Sequence, residues 1–125
     1  MQPADGPRRT TTAPATDDRF EVLLRGVAVD VDTRCRHWDE DVDVVALRFA
    51  CCEAYYPCFE CHAETTDHDP ERWPRKRFDD PAVLCGRCRT ELTVDAYLDC
   101  ADRCPSCGAA FNPGCRAHRH LYFEM

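Results

Sequence analysis

Three Cys-x-x-Cys pairs, Cys58/Cys61, Cys85/Cys88 and Cys104/Cys107, punctuate a chain that carries eleven cysteines and five histidines in 125 residues. Two cysteines three residues apart can curl around one ion, because the turn between them aims both sulfurs and nearby N–H groups inward. A tetrahedral site then needs a second pair from elsewhere. Cys85-Gly-Arg-Cys88 and Cys104-Pro-Ser-Cys107, with fifteen residues between them, have the spacing of a four-cysteine zinc site. Gly86 and Gly108 are expected to relieve strain at positive φ, and Pro105 to stiffen the second turn. Four thiolates suit a mononuclear iron centre equally well.

Eight further candidate ligands lie upstream: Cys35, His37, Cys51, Cys52, Cys58, Cys61, His62 and His68. Eight are enough for two tetrahedral ions. The preferred partition gives one ion Cys35, His37, Cys58 and Cys61, and the other Cys51, Cys52, His62 and His68. Adjacent strand residues point to opposite faces, so this partition requires a turn at Cys51-Cys52. Cys100, Cys115, His118 and His120 are left over. Cys115-x-x-His118 alone has ligand-like spacing, whereas Cys100 reads as a buried structural cysteine and His120 as solvated or capping.

Composition says why a chain like this needs ions. Val, Leu and Phe together number 22, there is no Ile, and the net charge is −7. Such a chain ordinarily lacks the apolar surface to offset its own entropy, and metal staples commonly replace a core of that size. Disulfides are the poorer staple here. The N-terminus shows no apolar signal region, no stretch is apolar for long enough to span a membrane, and an odd number of cysteines cannot all pair internally. A reducing cytoplasm is expected, and clustered cysteines there read as metal ligands.

Residues 1–18, rich in Thr, Pro and Ala, read as a disordered tail, leaving residues 19–125 as the zinc-binding domain. Strands are expected over residues 26–32 and 43–49. Residues 66–83, with Pro70, Pro74 and Pro81, read as an irregular connector, and Thr93 as the cap of a helix over residues 94–98. Together these predict a small metal-stabilised α+β domain of short antiparallel strands or hairpins, zinc knuckles and one short helix, with little hydrophobic core.

The motifs Cys35-Arg-His37-Trp38, Cys51-Cys52, Tyr55-Tyr56-Pro57-Cys58 and Cys61-His62 resemble the CHY-type zinc finger family. Trp73-Pro74, Leu84-Cys85-Gly86, Leu92-Thr93, Tyr97-Leu98 and Phe111-Asn-Pro-Gly-Cys115-x-x-His118 are similar to its small prokaryotic members. Trp38 stands where the family has its name-giving tyrosine. The resemblance spans roughly residues 26–123 and implies a module that binds three zinc ions. Larger eukaryotic members are ubiquitin ligases with a following RING finger, which this sequence does not contain. Another branch resembles helpers of mitochondrial protein import and thiol oxidation.

Fifteen arginines against one lysine, with fifteen Asp and eight Glu, suit a salt-rich cytosol, so a halophilic source is expected. The same acidity disfavours nucleic acid, which selects a basic face. The one basic segment, residues 72–78, is flanked by carboxylates, and its Trp73 and Phe78 are expected to pin the connector to the metal units. Catalysis is not expected, since every site can be closed by four protein ligands and no catalytic motif is present. The expected function is a monomeric, cytoplasmic zinc-binding module that holds about three structural ions and contacts an unidentified protein partner, with no nucleic acid or membrane. The alternative is a zinc-buffering or thiol-redox helper, which would use labile zinc or an exposed low-pKa cysteine such as Cys100 or Cys115.

Overall fold

The computed structural model describes residues 8–124. Its centre is a four-stranded antiparallel sheet in the order β4–β3–β5–β6, formed by β3 (Val45–Arg48), β4 (Tyr55–Tyr56), β5 (Pro81–Cys85) and β6 (Glu91–Thr93). Val45, Ala46 and Leu47 face Cys85, Leu84 and Val83 across the β3–β5 ladder, and all six are buried. A strand buried on both faces reads as an unbroken apolar run rather than an alternating one. That pattern is what Val44–Leu47 display within the strand expected over residues 43–49.

The second strand of this central pair, β5, begins inside the segment expected to be an irregular connector, residues 66–83, and runs past its end to Cys85. Pro81 opens the strand, a position where proline is tolerated in a sheet, and Ala82, Val83 and Leu84 behind it are buried. The prolines mark only the approach. Within that approach Arg75–Arg77 forms a 3₁₀ turn, and Trp73 is fully buried with its Nε1–H donated to the Arg77 carbonyl at 2.7 Å. The Arg77 and Arg48 guanidinium groups stack on the Trp73 ring at 4.2 and 5.1 Å. Phe78 packs against Phe123 at 6.2 Å, so these two aromatics do hold the connector down.

A two-stranded sheet pairs β1 (Arg9–Thr11) with β2 (Gly26–Val29). It corrects the expectation of a disordered tail over residues 8–18, while residues 1–7 lie outside the described residues. The anchors are polar, which apolar periodicity cannot register. Buried Asp17 accepts from the Arg19 guanidinium at 2.6 Å and from that of Arg9 at 3.3 Å, and Arg25 Nε donates to the Ala15 carbonyl at 2.8 Å.

Among the described residues there are three short α-helices where one was expected. The predicted one is α2 (Val94–Asp99), capped by the Thr93 hydroxyl accepting from the Ala96 N–H. The other two are α1 (Phe59–Thr65), with Cys58 Sγ accepting from the Cys61 N–H, and α3 (Pro113–Ala117), with Asn112 as cap and Pro113 in the first turn. These begin at a thiol or at a Pro-Gly turn and are too short for apolar periodicity to develop. Beside the sheet's buried Val and Leu, the core holds a cluster of aromatic rings. Phe49 is surrounded by Tyr56, Phe59, His62 and Tyr122, with ring centroids 4.6–6.3 Å away. The C-terminal segment closes over it, Trp73 donating its N–H to the Tyr122 carbonyl and Glu124 donating its own to the Trp73 carbonyl.

Candidate metal centres

Three quartets of cysteine and histidine have their ligand atoms within 4.8 Å of one another: Cys35, His37, Cys58 and Cys61; Cys51, Cys52, His62 and His68; and Cys85, Cys88, Cys104 and Cys107. The structure thus brings together the twelve residues singled out in the sequence, in the same three groups. All eleven cysteines are free.

Spacing within the quartets tests whether zinc fits. A tetrahedron with Zn–S bonds of about 2.3 Å has S···S edges of about 3.8 Å. The sulfur separations are 3.6 Å for Cys35–Cys58, 3.8 Å for Cys51–Cys52, 3.8 Å for Cys85–Cys107 and 3.7 Å for Cys88–Cys104. A disulfide would need about 2.05 Å. With soft sulfur and imidazole donors in fours, the residues fit three zinc ions.

In the first quartet, Cys35 and His37 follow β2, while Cys58 and Cys61 start α1. His37 turns Nδ1 inward, 3.3 Å from Cys58 Sγ and 3.6 Å from Cys61 Sγ. Its Nε2 faces Glu64 Oε2 at 2.5 Å, so the carboxylate one turn along α1 from Cys61 selects which ring nitrogen meets the metal. The Cys61 and Val27 N–H groups donate to Cys58 Sγ and Cys61 Sγ, each at 3.4 Å. Hydrogen bonds from Cys58 and Cys61 pull the Cys35 thiol down to about 2, and that sharing pushes Cys61 up to about 12.

The second quartet depends on the turn that joins β3 to β4. Glu53 donates its N–H to the Phe49 carbonyl at 2.8 Å and takes a φ of +52°, and this reversal sets Cys51 and Cys52 on the same side. The turn required by the sequence is there. Cys51 Sγ is 3.3 Å from His62 Nε2, and His62 Nδ1 faces the Thr66 hydroxyl at 3.4 Å. Burial, with His68 and Arg25 nearby, lowers the His62 pKa to about 4, so the ring is neutral and able to bind metal. Cys52 Sγ lies 3.2 Å from the Tyr56 hydroxyl.

The third quartet joins two knuckles. Ser106 and Cys107 donate their N–H groups to Cys104 Sγ at 3.3 and 3.5 Å. Cys85 ends β5, where its position is fixed by the sheet. Burial raises the Cys88 thiol, but hydrogen bonds from Thr90 outweigh it and bring the thiol to about 6. Gly108 has a φ of +79°, as expected. Gly86 differs: its need is for space, since a Cβ there would sit 2.1 Å from the Asp32 carbonyl oxygen.

Cys100, Cys115, His118 and His120 join no such group among the described residues. Cys115 sits half-buried on α3, its thiol pushed up to about 12 by burial, and lines with His118 a cavity of 20 Å³. Trp38, in the family's tyrosine position, is 40% exposed, and its carbonyl accepts from the Cys35 N–H at 3.0 Å. Glu64, Thr66 and Thr90, which support the ligands, were not singled out in the sequence, while Tyr56 was quoted there only as part of a motif. Only the i, i+3 relation of Cys61 and Glu64 could have been read, and then only by someone who already had α1.

The sequence model of the CHY zinc finger family matches residues 35–113 of this chain. The chain is 46% identical over 100 residues to Helper of Tim protein 13 of Kluyveromyces lactis, covering 80% of this chain and 87% of the relative. It is 44% identical over 110 residues to Helper of Tim protein 13 of Saccharomyces cerevisiae, covering 84% and 93%. An uncharacterised protein of Schizosaccharomyces pombe is 43% identical over 106 residues, covering 85% and 93%. These relatives are all from yeasts, and the expectation of a prokaryotic, halophilic member finds no support among them.

Proposed function

This chain belongs to the CHY zinc finger family, and from that premise we propose a non-enzymatic protein whose three zinc sites are structural and whose surface docks a protein partner. The observation that carries this reading is closure. Each quartet offers four protein donors, whereas a catalytic zinc keeps one position for water or substrate. Thiolates also donate strongly to the metal and leave it a poor Lewis acid.

In this reading the ions replace a core. A structural zinc contributes on the order of 10 kcal/mol or more to folding, which offsets the shortage of aliphatic side chains. Eleven free thiols favour a reducing compartment, and we propose a cytoplasmic monomer. The net charge of −7 favours a protein partner over nucleic acid. No helix among the described residues is long and apolar enough to cross a membrane.

A second reading is a zinc-buffering or thiol-redox helper of other proteins. The name of two of the yeast relatives, Helper of Tim protein 13, supports it, and so does the exposure of His68 at one edge of the second quartet. Metal content by elemental mass spectrometry, with thiols titrated on the same native sample, separates the two. Three zinc ions with few reactive thiols support the structural module. Fewer ions with disulfides present overturn it in favour of the helper.

A further inference from the structure

The three quartets are not equally closed. In the first, all three cysteines are buried and His37 is held from behind by Glu64. In the third, the exposed ligand Cys107 shares a knuckle with buried Cys104, so both ends of one tight turn grip the same ion. The second has no such anchor at its open edge. The side chain of its ligand His68 is 39% exposed, it stands in an irregular stretch beyond α1, and its Nδ1 lies 3.7 Å from the exposed Asp67 carboxylate. Its ring meets the buried His62 ring edge-on at 5.0 Å.

Charge points the same way. With zinc bound and all cysteines as thiolates, the third quartet carries a net charge of −2, the first −1 and the second zero. The second therefore attracts its dication least, and it alone offers an electrically neutral centre to an approaching anion.

We propose that the Cys51–Cys52–His62–His68 quartet is an exchange site, from which zinc passes to an incoming thiolate once the exposed His68 imidazole leaves. It deepens the helper reading and rests on it. The step is stepwise ligand substitution: the Zn–N bond to His68 breaks as a Zn–S bond to the first incoming thiolate forms, the bonds to Cys51, Cys52 and His62 are then replaced in turn by further acceptor ligands, and no electrons are transferred. His62 is fully buried and stacks on Phe49 at 4.6 Å, so it is the last to let go. Cys51 and Cys52, half-buried in the turn, are the next ligands reached. The other two ions keep the fold while this one is exchanged.

The test uses the full chain, shown by elemental analysis to carry three zinc ions, mixed with a chromogenic chelator. One arm adds 2-mercaptoethanol and the other a reduced, metal-free Cys-x-x-Cys peptide. One ion per chain is expected to leave at least about tenfold faster than the other two, and thiol from either arm should speed only that phase. Acceleration by the peptide alone identifies a protein thiol as the acceptor, and acceleration by 2-mercaptoethanol a small one. His68→Ala should quicken or abolish the fast phase with the circular dichroism retained, while His68→Cys should slow it by about tenfold.

Three ions leaving at one rate, or a fast phase moved by Cys107→Ser and not by His68→Ala, would overturn the exchange site while leaving zinc buffering standing. If neither thiol takes any zinc, the buffering form of the helper reading falls with it.

Discussion

Single side chains outside the ligand set decide how well each ligand works. Glu64 is the clearest case, because its carboxylate fixes the His37 ring through Nε2 and leaves Nδ1 for the metal. Losing such a partner typically costs about 10–100-fold in metal affinity. Glu64→Gln should weaken one zinc of three by that factor, read by chelator competition, and leave the four-cysteine site unchanged. Asp17 plays a comparable part in the N-terminal segment. Burial raises its pKa, yet hydrogen bonds from Arg19 outweigh this and hold it below the ordinary carboxylate value. The folded state therefore favours the ionised form, so its contribution is present above about pH 4 and is lost as pH falls through the lowered pKa. Asp17→Asn should cost about 1–3 kcal/mol at neutral pH. In urea titrations the gap between variant and wild type should narrow toward zero in acid.

Among the elements, those with an uninterrupted local signal were legible, whereas β5, masked by the prolines before it, and α3, a single turn after Asn112, were not. The β3 strand and the Thr93-capped α2 were readable because a buried β-branched run and a hydroxyl cap are local signals. So was β2, within the strand expected over residues 26–32, but β1 and its pairing with β2 were not, since Arg19, Arg25 and Asp17 hold that segment through contacts that only the fold creates. Nor was α1, whose cap is a thiol that also belongs to a metal quartet. The site was more legible than the fold. Ligand spacing is written directly in the sequence, whereas Glu64 and Thr90 depend on how the chain turns. Two substitutions separate the kinds of signal. Thr93→Ala removes a cap and should cost about 1 kcal/mol. Gly86→Ala drives a methyl into the Asp32 carbonyl and should cost about 1–3 kcal/mol or more, with loss of zinc from the third quartet. Thermal melts with metal analysis would check both.

For the molecule as a whole, the ions and the aromatic core act together. Phe49 stacks on His62, and the Tyr122 hydroxyl accepts from the N–H of Phe59 at 3.1 Å, so the second quartet shares a wall with the core. Zinc removal by a strong chelator should therefore abolish most of the circular dichroism signal as well as the metal, and an unchanged spectrum would contradict this. The order of ligands along the chain has a separate consequence. Cys35 and His37 share an ion with Cys58 and Cys61, while Cys51 and Cys52, which lie between those pairs, share theirs with His62 and His68. The first quartet thus fastens like a clasp across the stretch that leads into β3, and continuity of the backbone just after Trp38 is dispensable once it is closed. A chain nicked by protease between residues 38 and 42, ahead of the buried β3 strand, should still migrate as one species on a sizing column, and come apart into two pieces only when its zinc is withdrawn.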